Sequence, residues 1–425
     1  MVAAIHKTVF PAQLIASKAG KAWDYVHSMP DRYGRPGVSA TYLGPLDGLR
    51  ALAIAFVIVW HVCVRVFRLT MTGPFDASDN AGFLKWVPHG EIGVSLFFFI
   101  SGFIIVRPFM NGSQGLSMVD IGRFYLRRVL RIAPPHAVLV TLAFLVLAGV
   151  GYRPEHAVNF DAARQSLGAS YAASLVFMNG LIFHSPPRLN PPTWSLEIEI
   201  QFYLVSPLIV VWFLAYQRWV RGGILSILPA LVAAFCVVLI VTVFGAYSPL
   251  RWTLISYLHL FLLGVLVAYF ETTGLLQGQA RARRYDAVFL AGLGILMATG
   301  LFRDQVSFGA ETVRIFGTML AVGGMFYGAV RGRIMFAMLG SRWVTLLGAM
   351  SYSIYLTHVA VIQLTETALF QRFAFHHIVP DLLLALLVAL PSVLVVGALY
   401  YIWVERYFLR TAGKAFPLRR QSLFH

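Results

Sequence analysis

"LDGLRALAIAFVIVWHV", Leu46 to Val62, has the apolar density of a membrane-spanning helix, yet it carries Asp47, Arg50 and His61. A charge inside the hydrocarbon layer costs at least a few kcal/mol, so such residues have a partner or a task. At about 100° per residue, the eleven positions from Arg50 to His61 close to within about 20° of whole turns, so both side chains share one helix face. They stand about 16 Å apart along the axis. Two readings follow from the spacing. Arg50 is an interfacial anchor and His61 an interhelical hydrogen-bonding group, or one face joins a cytoplasmic cation to an imidazole deep in the protein. Spacing alone does not separate them.

The rest of the chain has the same character. Of 425 residues, 58% are hydrophobic and only 12% charged, about half the charged share of a soluble globular protein. Mean hydropathy is +0.73, and several runs approach or exceed the roughly 20 apolar residues that cross a bilayer. These features predict an all-α, polytopic membrane helix bundle. The net charge of +16 would suggest nucleic acid in a soluble protein. Here it follows from retention of Lys and Arg on the cytoplasmic side, and no nucleic-acid partner is expected. Cys63 and Cys236 both sit in apolar runs, offering neither a disulfide framework nor a metal-binding pair. Residues 1–40 lack the continuous apolar core of a cleavable signal peptide.

Apolar runs between charges and turn residues predict ten spans. They cover about 46–66, 92–110, 135–151, 196–216, 223–245, 253–271, 286–302, 313–330, 344–366 and 381–404. With the N-terminus inside and the spans alternating, 24 Lys and Arg fall on the cytoplasmic side and ten outside, which predicts that both termini are cytoplasmic. The stretch 153–195 contains another apolar run, "YAASLVFMNGLIFH". A crossing there would invert every later span, so a re-entrant or interfacial outer segment is expected. An N-terminal arm (1–42), with an interfacial helix around Phe10–His27, a transmembrane domain (43–410) and a basic tail (411–425) complete the organisation. No internal repeat is evident.

Four further segments could carry chemistry. In "GVSLFFFISGFII", Gly93 to Ile105, the small residues allow close helix packing, and Ser101 with Gly102 could also let a ligand pass the backbone. In "RFYLRRVLRIAPPH", Arg123, Arg127 and Arg131 recur every fourth residue with Arg128 adjacent. This stripe suits bidentate phosphate contacts; an ordinary basic loop or an anionic-lipid site reads equally well. In "NPPTWSLEIEIQFY", Glu197 and Glu199 lie about 200° apart on a helix, so they cannot face one site. Glu199 stacks with Tyr203 one turn on, whereas both acids could instead ring the outer interface. In "GAMSYSIYLTH", Ser351, Tyr355 and His358 share a face, as interhelical hydrogen-bonding groups or as part of a site.

Taken in order, "LDGLRALAIAFVIVWH", "GVSLFFFISGF", "RRVLRIAPP", "WSLEIEIQFYLVSP", "FLLGVLVAY", "SYSIYLTH" and "YIWVERYF" resemble the membrane acyltransferase-3 family of bacterial O-acyltransferases over about residues 43–410. The resemblance implies ten core spans in the cytoplasmic membrane. It also implies an acyl-CoA donor, commonly acetyl-CoA, and an acceptor hydroxyl on a glycan, a lipid-linked glycan or a related molecule. Arg50 and His61 match the family's paired essential residues, and Glu199 matches the acid of its W-S-L-x-x-E pattern, with Glu197 at a variable position. Arg127, Arg128 and Arg131 match its cytoplasmic arginine cluster. His136 stands where an aromatic is usual and Tyr407 where a proline is usual. No fused esterase-like domain of the SGNH type is expected, so transfer is completed by the membrane core or by a separate periplasmic partner. A homo-oligomer is also compatible.

The resulting expectation has His61 as general base, since neutral imidazole ionises near the working pH. Glu199 would orient that imidazole or bind the sugar, with Trp194, Tyr203, Tyr355 and His358 also on the acceptor. Arg50, Arg127, Arg128 and Arg131 would hold the CoA phosphates, with the acyl arm passing Ser101, and no metal is expected. An acyl-histidine relay through His61 is a variant of this mechanism. A proton-coupled transporter or flippase is the competing class, since intramembrane His, Arg and Glu also form proton relays.

Overall fold

The computed structural model describes residues 28–34, 43–70, 87, 89–112, 115–150, 165–245, 249–274, 280–302, 307–373, 375 and 377–415. The helix expected around Phe10–His27 and residues 416–425 of the basic tail lie outside these. The helices are α1 (Gly44–Thr70), α2 (Gly90–Met110), α3 (Met118–Gly149), α4 (Leu167–Leu175), α5 (Asn179–Phe183), α6 (Trp194–Val220), α7 (Leu228–Phe244) and α8 (Leu258–Thr272). They continue as α9 (Arg283–Thr299), α10 (Phe308–Arg331), α11 (Arg333–Leu339), α12 (Arg342–Ala349), α13 (Ser351–Phe370), α14 (Ile378–Tyr400) and α15 (Arg406–Ala415), with a π-helical turn at Tyr401–Glu405 between the last two. There is no strand among the described residues.

Nine of these segments are long and apolar enough to cross a membrane, and the bent pair α12–α13 makes a tenth. The protein is a multi-pass membrane helix bundle, and its spans fall where the hydropathy runs place them, with two differences. The third span begins at Met118, not near residue 135, because α3 runs unbroken through Pro134 and Pro135. The Ser117 side chain caps its first turn, accepting from the Asp120 N–H at 3.2 Å. Hydroxyls from two later helices brace the proline turn: Tyr352 donates to the Ile132 carbonyl at 2.8 Å and Tyr400 to the Pro135 carbonyl at 2.5 Å. The arginine stripe therefore rides on the spanning helix itself. The ninth span is broken, bending by 68° between α12 and α13. Gly348 sits at this corner, and a Cβ there would fall 1.9 Å from the Asp47 carbonyl oxygen, so the corner closes directly onto the first turn of α1.

α1 is the hub, packed against α2, α12, α13 and α14. α2 and α8 approach closely through small residues: a Cβ at Gly102 or Gly264 would lie 2.3 Å from the Phe261 or Phe99 carbonyl oxygen. Here the glycines of the phenylalanine-rich segment serve packing. Phe98, Phe99, Phe103, Phe202 and Phe261 fill the interior around this seam.

The apolar stretch after residue 165 forms two short helices, α4 and α5, of nine and five residues, too short to span. A buried polar network explains why it stays folded. Glu197 accepts from the Asn179 N–H at 3.1 Å and its side-chain amide at 2.9 Å through Oε1, and from the Gly180 N–H at 2.8 Å through Oε2. Asn179 also donates to Ser174 Oγ and accepts from Ser170 Oγ and Gln165 Nε2. A second tie comes from His136, whose Nε2 donates to the Ser174 carbonyl at 3.0 Å while its ring stacks on Phe177. At a neighbouring turn, Arg251 donates to Glu91 at 2.5 Å, and that carboxylate holds the guanidinium above its ordinary ionisation range.

Candidate active site

The helices α1, α2, α3, α6 and α13 enclose a cavity of about 70 Å³. Its polar lining is Arg50 from α1, Ser101 from α2, Arg128 and Arg131 from α3, Ser195, Glu199 and Tyr203 from α6, and Ser351, Tyr352 and Tyr355 from α13; Phe97, Phe98, Ile132 and Leu196 complete it. One water needs roughly 10–15 Å³ of such space, so the cavity has room for a small polar group or a few waters.

Among the described residues, Glu199 is the only carboxylate in this lining. Ser101 Oγ donates to its Oε1 at 2.6 Å and the Tyr203 hydroxyl to the same oxygen at 2.5 Å. Oε2 carries no hydrogen bond from the described residues. Around it stand three guanidiniums. Arg50 is only loosely paired, 3.7 Å from the buried Asp47 carboxylate. Arg128 lies over the rings of Phe124 and Tyr203, 5.6 Å from each centroid. Arg131 makes no hydrogen bond or ion pair among the described residues. Three guanidiniums against one carboxylate give the lining an excess of positive charge.

His61 does not line this cavity. Its Nδ1 lies 2.7 Å from the Val57 carbonyl on its own helix, and its ring meets that of His358 edge-on, with centroids 4.9 Å apart. His358 Nδ1 in turn lies 2.6 Å from the Tyr355 carbonyl. Tyr355 therefore joins the two regions. Its phenol lines the cavity, bonded to Ser195 Oγ at 2.9 Å and donating to the Pro192 carbonyl, while its backbone carbonyl holds His358.

The structure thus gathers Arg50, Ser101, Arg128, Arg131, Glu199, Tyr203 and Tyr355 in one place, and His61 with His358 in another. Glu199 is bonded to Ser101 and Tyr203; the ring beside His61 is His358. Trp194 lies outside the lining, in an aromatic cluster with Phe98, Trp252 and Tyr257 at centroid distances of 6.3, 5.7 and 5.5 Å. Arg127, also outside it, neighbours Arg123 and Asp120 on the first turns of α3. Ser195 and Tyr352 line the cavity without having been singled out. The first was within reach of sequence reasoning, since it precedes Glu199 by one turn on the same face. The second sits beside Ser351 and gave no periodic signal.

A membrane bundle whose interior sets an arginine-lined cavity beside a histidine pair brings charged and acid–base groups together inside the helices. In comparison with known proteins, the acyltransferase-3 family model, described as an acyltransferase domain, matches residues 44–401, and the chain belongs to this family. It is 26% identical over 337 residues to the O-acetyltransferase OatA of Staphylococcus aureus, covering 76% of this chain and 51% of that protein. It is likewise 26% identical over 354 residues to the peptidoglycan O-acetyltransferase OatA of Listeria monocytogenes, covering 78% and 51%. To a putative membrane-bound transacylase, BcsY of Komagataeibacter xylinus, it is 28% identical over 378 residues, covering 85% and 81%. The chain spans about half the length of the OatA proteins that it matches. No solved structure matches it significantly.

Proposed function

We propose that this protein is an O-acyltransferase of the bacterial cytoplasmic membrane, with both termini inside. It moves an acetyl group from cytoplasmic acetyl-CoA to a hydroxyl of a cell-envelope glycan or lipid-linked glycan. The observation that carries this reading is the shared cavity. Arg50, Arg128 and Arg131 come from helices whose basic ends face the cytoplasm by the charge count, and they meet Glu199, from a helix that begins at the opposite face. A donor arriving from one side and an acceptor from the other can meet between this cavity and the neighbouring histidine pair without the whole cofactor crossing.

The residues present suit each part of the reaction. Three guanidiniums suit the donor's phosphates, Arg being the side chain best matched to them. With Nδ1–H donating to the Val57 carbonyl, His61 acts as the base through Nε2. The reacting hydroxyl sits against the histidine pair, beside the cavity and not in it, and His61 takes its proton as that oxygen attacks the thioester carbonyl. Collapse of the tetrahedral adduct breaks the carbon–sulfur bond, and the leaving thiolate recovers the proton from the imidazolium. The products are an ester and free CoA. Glu199 offers its second oxygen to an acceptor hydroxyl. The OatA relatives, whose names specify O-acetylation and in one case peptidoglycan, support the same acyl group and a wall-type acceptor.

Two measurements test this reading. Surface glycans from strains with and without the gene are compared by mass spectrometry for a lost acyl mass. The purified protein is heated with and without CoA. Loss of an acetyl mass together with stabilisation by CoA is expected. Unchanged glycans and no response to CoA would instead favour a transporter.

A further inference from the structure

His358 is fully buried on α13, beside His61, and the roles above leave it without a task. The two rings are held alike. A carbonyl oxygen can only accept, so Nδ1 of His61 donates to Val57 and Nδ1 of His358 donates to Tyr355. Each neutral ring therefore carries its lone pair on Nε2. The Nε2 of His358 is buried and has no hydrogen-bond partner among the described residues. An enclosed acceptor without a donor destabilises the folded protein, and an orphan of this kind calls for an explanation in function. One turn outward, Arg65 donates to Thr367 Oγ1 at 2.8 Å and fixes the spacing of the two helices independently of His358.

We propose that His358 is a positioning residue for His61, its unpaired Nε2 stabilising the imidazolium that His61 becomes when it takes the acceptor's proton. This inference rests on the reading of His61 as the base. His358 neither gains nor loses a proton in the cycle. It presents a fixed dipole, oriented in advance by the Tyr355 carbonyl, to a charge that exists only during the reaction. Because the Tyr355 phenol lines the cavity, the residue that orients His358 also senses what fills that space.

The test uses membrane vesicles carrying the full-length chain, radiolabelled acetyl-CoA as the probe, and label fixed in glycan as the readout. His358→Leu removes both nitrogens, His358→Asn keeps a group at the Nδ1 position, and His358→Gln places an amide oxygen near the Nε2 position. Each variant is checked for folding by its melting temperature. If His358 acts through Nε2, the leucine and asparagine variants lose about a hundred-fold in kcat, the scale on which a slightly misplaced catalytic group is felt, with KM for acetyl-CoA unchanged. Glutamine should then recover at least about ten-fold of that loss. Equal activity in all three variants, or rescue by asparagine as good as by glutamine, overturns the proposal. His61→Ala is run in parallel. If it stays fully active, the underlying reading of His61 falls; if it is dead while His358→Leu is unimpaired, only the present inference falls.

Discussion

Glu197 and Glu199 lie two residues apart on α6 and belong to different machines. Glu197 has both oxygens engaged by three N–H donors of Asn179 and Gly180, and these bonds hold α4 and α5 against α6. Glu199 takes two hydroxyl donors on one oxygen and turns toward a cavity lined by three arginines. The helical twist of about 200° between them sends one to each side. A buried carboxylate saturated by backbone and amide donors is structural. One that keeps an oxygen for a cavity is available to a ligand.

The sharpest way to break this contrast is to neutralise each acid without changing its shape. Glu199→Gln should lower acetyl transfer by about a hundred-fold or more, the scale of a displaced acid–base or orienting group, while its melting temperature stays close to that of the parent. Glu197→Gln should do the reverse. The amide NH2 replaces an acceptor oxygen and leaves at least one buried donor at Asn179 or Gly180 unpaired, at a cost of about 1–3 kcal/mol per group. Thermal unfolding should show that loss, with near-normal kcat in the folded fraction. If Glu199→Gln lowers stability and spares transfer, the assignment of the two acids is reversed.

How far this was legible without coordinates follows from what lipid imposes. The ten spans could be read closely because a bilayer demands long apolar helices whatever the fold. The start of α3 was hidden because Pro134 and Pro135 behind an arginine run look like a loop. Only the hydroxyls of Tyr352 and Tyr400, far away in sequence, brace the helix there. The 68° break before α13 has no proline to announce it; it arises where Gly348 meets the Asp47 carbonyl. Helical periodicity correctly grouped Glu199 with Tyr203. It could not show that Arg50 and His61, on one face of α1, part company along the axis, one toward the cavity and the other toward His358. That separation depends on which helix stands opposite each turn, which no local pattern records.

The arginines sharpen the comparison at the other wall of the cavity. Arg131 lines it without a hydrogen bond or ion pair among the described residues, so Arg131→Ala should leave the bundle intact and weaken donor binding. A charge-assisted hydrogen bond contributes about 1.5–3 kcal/mol, so KM for acetyl-CoA should rise by roughly ten- to a hundred-fold, with a smaller change in kcat. Isothermal titration with CoA reads the same loss directly.

The smallest expected effect belongs to Arg127, next to Arg128 in the chain but outside the cavity. It shares the stripe's charge and its four-residue spacing with Arg131, so sequence alone ranks the two equally. In the structure it sits half-buried with Arg123 and Asp120 on the first turns of α3, where a charge still in reach of solvent is worth about 0–1 kcal/mol. Arg127→Ala should therefore change KM for acetyl-CoA by no more than about five-fold, and added salt should erase most of that change. An increase as large as that of Arg131→Ala, persisting in high salt, would mean that the donor's phosphates lie along the outer stripe of α3. The cavity around Glu199 would then hold only the acyl group and the acceptor.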